Sequence, residues 1–240
     1  MTGRPRDGAG LYDDPDFLAG YRHLRRTGQG INDELEIPAM NAVLATLPVA
    51  GARVVDLGCG EGGLAVRLAM AGAAEVLAVD ASEQMLAAAT PHPRVRYQRA
   101  DLATFDLPSG SADLIVSSMA LHYVEDFDIL VSRAASWLSS GVFVFSVEHP
   151  VMTAPMVAAD GVVDDYADEG RRERTWFVDR VVKYHRTIGS IVATLRRHGF
   201  QLEVLDEPLP TPEQVAAHPH LAIHRRRPPV LLVAARALST

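Results

Sequence analysis

The chain has one cysteine among its 240 residues, Cys59, so no intrachain disulfide can form, and the expected compartment is a reducing one. It has no apolar run near the roughly 18 residues that a membrane span needs. The first residues, MTGRPRDGAG, carry some basic charge but no apolar stretch follows them. They do not read as a secretory signal, and the expected location is the cytoplasm. Basic excess is also lacking: the formal net charge is −7, which repels a polyanion and argues against nucleic acid as a partner. The strongest basic run, Arg225–Arg227, is short and reads as a solvated charge run. There is no internal repeat and no low-complexity segment. His218, His220 and His224 lie close together, but their spacing does not suit one helix face and no cysteine or nearby acid completes a zinc set, so no metal is expected.

What remains is an ordinary globular composition, 48% hydrophobic and 22% charged, with ample material for a core. The first ten residues are rich in Gly, Arg and Pro and are expected to be mobile. Residues 11–37 place aromatics (Tyr12, Phe17, Tyr21) among charges, as in a partly helical flap lying on something else. Pro38 suits the first turn of a short helix through about Leu47. Strands and helices then alternate. Apolar runs predict strands at Arg53–Leu57, Glu75–Asp80, Val95–Arg99, Ala112–Ser117 and Val142–Val147. Helices are expected at Gly62–Ala71, at Ser82–Thr90 with Ser82 as cap, and near Asp126–Leu138. Five such alternations argue for a doubly wound α/β sheet. Residues 148–186 break the rhythm with Pro150, Pro155, acids (Asp164, Asp165, Asp168, Glu169) and aromatics (Tyr166, Trp176, Phe177, Tyr184). A stretch of that length inside a compact domain reads as a functional lid. A helix at Ile188–His198, ended by Gly199, and strands at Gln201–Leu205 and Val230–Ala235 close the chain.

The most informative segment is VVDLGCGEG, residues 54–62. A strand runs through Asp56 into Gly58, Gly60 and Gly62, which let the backbone turn sharply and a ligand approach it. The spacing is G-x-G-x-G rather than the G-x-G-x-x-G of dinucleotide sites, and Glu61 at the helix start disfavours a pyrophosphate. Downstream, Asp80 ends the second strand in VLAVDAS, Asp101 follows the third in RADLATF, and SADLIVSSMALHYV forms the fourth with its loop. In this order the segments resemble the class I S-adenosylmethionine-dependent methyltransferases of types 11 and 25, in their bacterial small-molecule branch. The N-terminal YDDPDFLAGYRHLRR is similar to flaps in that branch. One departure is the turn before the fifth strand, where LSSGVFVF keeps only Gly141 of a Pro-Gly-Gly-like sequence.

The resemblance implies a Rossmann-like α/β fold with a seven-stranded sheet in the order 3-2-1-4-5-7-6, the last strand antiparallel. It implies one domain over 1–240: a helical flap (11–47), a cofactor-binding core (50–147), a lid or substrate insertion (148–186), and a closing helix and strands (187–240). It implies S-adenosyl-L-methionine as cofactor and S-adenosyl-L-homocysteine as product. Gly58 and Gly60 would approach the cofactor, and Asp80, flanked by Ala81 and Met85, would accept from the ribose hydroxyls. Asp101 and the Leu102 amide would meet the adenine, and Ser117 and Ser118 would line the methionine part. Tyr12 and Tyr21 would contact the methionine end, with Arg25 or Arg26 at its carboxylate. Asp56 would either orient the glycine loop or meet the cofactor's ammonium.

Methyl transfer is an in-line displacement that mainly needs alignment and exclusion of water, so a base is required only for a nucleophile with a tightly held proton. Candidates for that role, or for acceptor binding, follow the fourth and fifth strands: His122, Glu148 and His149, with His185 before the next helix. The expected acceptor is a small neutral, aromatic or cationic molecule methylated on oxygen or nitrogen, with carbon open. No membrane partner is expected, and the protein would be a monomer or homodimer. The competing readings are a nicotinamide-dependent oxidoreductase and a non-catalytic cofactor-binding regulator.

Overall fold

The computed structural model describes residues 8–28, 30–155 and 165–238. Residues 1–7 of the terminal stretch expected to be mobile, and residues 156–164 of the expected lid, with Asp164, lie outside the described residues.

Helical pieces precede the first strand: α1 (Gly8–Leu11), α2 (Pro15–Thr27), a π-helical turn (Asn32–Glu36) and α3 (Ile37–Leu44). Asp14 starts α2 by accepting from the Asp16 and Phe17 amides at 3.0 and 3.1 Å, and Gly28, in the left-handed region, ends it. Pro38 lies in the first turn of α3, as expected, but that helix does not start from a loop. The π turn runs directly into α3, so the proline sits inside a continuous helical segment. There its ring crowds the carbonyl four residues back and removes one ladder bond. The π turn relieves that conflict: the Ile37 amide bonds to Asn32 O, and the Glu34 carbonyl accepts from Gln214 Nε2 at 2.9 Å.

The alternation follows as β1 (Arg53–Leu57), α4 (Gly63–Met70), β2 (Glu75–Asp80), α5 (Glu83–Ala87), β3 (Val95–Arg99), β4 (Ala112–Ser118), a 3-10 turn (Leu121–Tyr123), α6 (Phe127–Trp137) and β5 (Leu138–Glu148). Helix α5 stops short of the expected Thr90 because Pro91 disfavours helical backbone before it. Beyond β5 come α7 (Pro150–Thr153), β6 (Gly170–Trp176), β7 (Val178–His185), α8 (Ile188–Arg197), β8 (Phe200–Asp206), α9 (Pro212–Ala217), a second 3-10 turn (Pro219–Arg225) and β9 (Val230–Ala237).

Seven strands form one sheet in the order β3-β2-β1-β4-β5-β9-β8, with β9 antiparallel to both neighbours. Strands β6 and β7 stand apart as a two-stranded hairpin. Counting only the main sheet, the order is 3-2-1-4-5-7-6. Its central strands, β1, β4, β5 and β9, are buried on both faces. On one, Ile115, Phe143 and Phe145 pack with Leu130 and Trp137 of α6 and Leu195 of α8. On the other, Val54, Leu114 and Val144 pack with Met40 and Leu44 of α3 and Leu64 and Leu68 of α4. Both layers stop at the C-terminal ends of the strands, which face the flap and the hairpin. Where the described residues cover it, the expected lid is the short helix α7 followed by the β6–β7 hairpin. Among the described residues no helix is long and apolar enough to cross a membrane.

Candidate functional site

The turn after β1 holds Gly58 and Gly60 at φ +74° and +55°. A Cβ on Gly58 would lie 2.3 Å from Ala120 Cβ, so the loop after β4 rests directly on this glycine. A Cβ on Gly60 would have no neighbour within 4 Å: the loop is open there. Asp80, at the end of β2, fastens the loop by accepting from the Gly60 amide at 2.8 Å and the Ser82 amide at 2.9 Å. Burial raises its carboxyl pKa, and those amides offset part of the rise.

Asp56 does not orient the loop by hydrogen bonds, one of the two roles expected for it. Neither of its oxygens has a hydrogen-bond partner among the described residues. Burial first, then the Asp80 charge, push its carboxyl up to about 7, and the Arg67 guanidinium pulls it back only partly. Ala81 presents its carbonyl to Arg99 Nε at 3.2 Å, while Met85 is buried beneath the start of α5. Asp101 is exposed after β3 and accepts from the Ala103 amide at 2.9 Å; its neighbour Leu102 is buried.

The flap closes on this end of the sheet through its polar side chains. Asp13 accepts from Ser82 Oγ at 2.6 Å and from the Gln84 amide at 3.2 Å. Arg22 pairs with Glu61 at 2.8 Å, and Arg25 with Asp33 at 3.1 Å. Above them the aromatics form a roof. Tyr12 meets Phe17, Tyr21 and Tyr123 edge to face, with centroids 5.0, 5.2 and 6.1 Å away. Phe17 meets Trp176 of the hairpin at 5.2 Å, and Trp176 stacks on Phe177 at 4.9 Å. The Phe177 ring covers Gly20 so closely that a Cβ there would lie 2.7 Å from it. Burial raises the Tyr12 phenol, helped by Tyr123 and Tyr21.

On the β4–β5 side, the hydroxyls of Ser117 and Ser118 are both engaged within the protein. Ser117 is fully buried and donates to Leu57 O at 2.7 Å; Ser118 donates to Glu36 Oε1 at 2.8 Å. His122 is buried, and its Nδ1 accepts from the Glu148 amide at 3.3 Å. That bond leaves the ring proton on Nε2. Burial, with Lys183 behind it, depresses the ring to about 3, so His122 is neutral at physiological pH. Glu148 pairs with Lys183 at 2.8 Å, and the Lys183 ammonium lies 5.1 Å from the Trp176 ring centre. Burial raises the Glu148 carboxyl, but the Lys183 ammonium outweighs it and holds it below its ordinary value. A cavity beside these groups is lined by His122, Phe127, Phe145, Glu148, Tyr184 and Arg186.

The other two histidines have both ring nitrogens engaged. His149 caps α7 by accepting from the Val151 amide at 3.1 Å, and its Nε2 donates to Glu207 at 2.7 Å. His185 Nε2 donates to Tyr166 O at 3.0 Å, which leaves Nδ1 to accept from Thr153 Oγ1 at 2.7 Å.

Three residues here were not singled out in the sequence. Tyr123 lay inside a quoted motif, and Lys183 carried no signal beyond its place in a lid. Glu36 had one: with Met40 and Leu44 it follows a spacing of four, and all three are buried on one helix face. Among the described residues there is no cluster able to hold a metal ion.

The profile of a methyltransferase domain family matches residues 54–141. A solved S-adenosylmethionine-dependent methyltransferase from Mesorhizobium loti is 43% identical, covers 86% of this chain and 98% of its own, and superposes with a TM-score of 0.77. An uncharacterized protein of Haemophilus influenzae is 33% identical over 247 residues, 94% of this chain and 96% of its own length. A trans-aconitate 2-methyltransferase of Variovorax paradoxus is 39% identical over 112 residues, only 45% of this chain and 43% of its own length. The chain belongs to the class I S-adenosylmethionine-dependent methyltransferases.

Proposed function

We propose that this methyltransferase acts on an oxygen of a small molecule held between the ends of β4 and β5 and the aromatic roof. The roof carries the reading. The flap, the loop after β4 and the hairpin converge in one cluster of rings, Tyr12, Phe17, Tyr21, Tyr123 and Trp176. A site enclosed from three sides suits a small acceptor and excludes water from the transfer.

S-adenosylmethionine, when bound, supplies an electrophilic methyl carbon on a sulfonium. The chain's residues fit it at Gly60, where a positive φ coincides with open space above the loop. Asp80 and Asp101, at adjacent strand ends, would accept from the ribose hydroxyls and the adenine amine. Gly58, Ala81, Met85 and Leu102 would shape the walls, and Tyr12 and Tyr21 would close the methionine end. Replacing Asp80 by alanine is then expected to weaken S-adenosylhomocysteine binding by about 1–3 kcal/mol, the scale of lost charged hydrogen bonds. Calorimetry on the folded variant checks this; native affinity would remove Asp80 from the site.

On the acceptor side, His122 serves as a fixed Nε2–H donor rather than a base, because its Nδ1 already accepts from a backbone amide. Glu148, held ionised by Lys183, accepts hydrogen bonds but takes up a proton poorly. His149 and His185 hold the surrounding backbone. With no free base of near-neutral pKa beside the cavity among the described residues, the site suits a nucleophile already ionised in solution, such as a carboxylate or an acidic hydroxyl. The acceptor named for the Variovorax relative, trans-aconitate, is of that kind. Labelled methyl groups supplied with a cell extract are expected in the low-mass fraction. Label found in protein or RNA instead would overturn this reading.

A further inference from the structure

Glu36 is 1% exposed, yet it carries a carboxylate into the protein at the top of the sheet. Its Oε1 accepts from Ser118 Oγ at 2.8 Å and from Ser146 Oγ at 2.6 Å. Its Oε2 has no hydrogen-bond partner among the described residues. Burial raises its carboxyl, against the pull of the two serines. Packing alone does not account for a glutamate here, since an apolar side chain would avoid desolvating a half-satisfied carboxylate. Nor does strand pairing need it, because β4 and β5 are already in register from Leu114 through Ser118, opposite Val142 through Ser146.

Ser118 is the last residue of β4, and Ser146 is its partner on β5. Ser146 also holds the next residue, Met119, accepting from its amide through Oγ at 3.0 Å and through the carbonyl at 3.1 Å. Met119 sits at φ +53°, a conformation that a side chain bearing residue adopts only when its surroundings impose it. The next residue, Ala120, is the one that rests on Gly58. Glu36, Ser118, Ser146, Met119 and Ala120 therefore form one hydrogen-bonded and packed series ending on the glycine loop.

The order of strands says which part of a ligand this series faces. In the order β3-β2-β1-β4, Asp80 and Asp101 lie at the ends of β2 and β3. A ligand with its ribose and base on those acids must cross Gly58 and Gly60 toward β4 with its remaining end, the amino-acid part of the cofactor. We propose that Glu36 is a positioning residue that fixes the β4 wall of the amino-acid subsite through Ser118 and Ser146. The assignment rests on the cofactor placement given above, and it gives the N-terminal helical segment, outside the matched stretch 54–141, a part in cofactor binding.

The test compares two ligands by calorimetry: S-adenosylhomocysteine, and 5′-methylthioadenosine, which keeps the nucleoside but lacks the amino-acid part. Glu36→Ala is expected to weaken the first about tenfold or more, the scale of one lost polar contact, while changing the second less than about twofold. Glu36→Gln, which keeps an oxygen for both serine hydroxyls, is expected to retain most of the affinity for both. If Glu36→Ala does not fold, Ser146→Ala removes one hydroxyl without touching a charge and is expected to show the same split in smaller measure. Equal losses for both ligands, or native affinity for S-adenosylhomocysteine in folded variants, would overturn the assignment. Failure of the unmutated protein to bind S-adenosylhomocysteine would overturn the cofactor placement itself, and this assignment with it.

Discussion

Exchanging Lys183 for methionine is expected to remove about 3 kcal/mol of folding stability, the scale for breaking a buried ion pair by deleting one partner. The Lys183 and Glu148 side chains are only 10% and 22% exposed, and their charged atoms lie 2.8 Å apart. Methionine fills much of the same space, so the loss comes from the stranded Glu148 carboxylate rather than from a cavity. Changing both residues, Lys183→Met with Glu148→Gln, is therefore expected to cost less than the single exchange. The pair also sets a pH window. Glu148 titrates below its ordinary 4.5, so its contribution is present above that value and fades as pH falls through the lower folded one. Lys183 titrates above its ordinary 10.5, so its contribution is present below that value and fades as pH rises through the higher folded one. Urea unfolding near pH 7 should show the full difference between wild type and Lys183→Met, and the difference should shrink as pH is lowered below 4.5. A difference that stays constant would mean that the pair is not its source.

Gly58→Ala and Gly60→Ala are expected to fail in different ways. At Gly58 the new methyl would lie 2.3 Å from Ala120 Cβ, on backbone at φ +74°. Overpacking of that kind costs about 1–3 kcal/mol, and the left-handed backbone adds about 1 kcal/mol for a residue with a side chain. The thermal midpoint should fall, and cofactor affinity with it. At Gly60 the methyl meets nothing in the protein, so only the backbone penalty applies to the fold. Its main effect should fall on the ligand, whose space it enters. Melting curves with and without S-adenosylhomocysteine separate the two. A Gly60→Ala protein still stabilised by the ligand as fully as wild type would show that the cofactor does not pass over this turn.

The central strands were legible from their apolar runs, because strands buried on both faces carry few polar residues; their order came only with the resemblance that the glycines and Asp80 carry. The hairpin was not. Its first strand, GRRERTW, reads as charged surface, yet Arg172 is buried and spends its guanidinium on the Ala154 and Asp168 carbonyls. Contacts of that sort leave no periodic trace. The histidines show the same limit. His122, Glu148, His149 and His185 all sit near strand ends, but the tautomers of the three histidines depend on partners distant in sequence, such as Glu207 for His149 and Tyr166 for His185. At Pro38 the helix start was legible but the π turn ahead of it was not, because the bond that the proline cannot make is supplied by Gln214, 180 residues away from Glu34.

The most direct test of the cofactor site is a calorimetric titration with S-adenosylhomocysteine beside one with a reduced nicotinamide dinucleotide. Specific one-to-one binding of the first and none of the second is the expected result. Binding of the nicotinamide alone would contradict it.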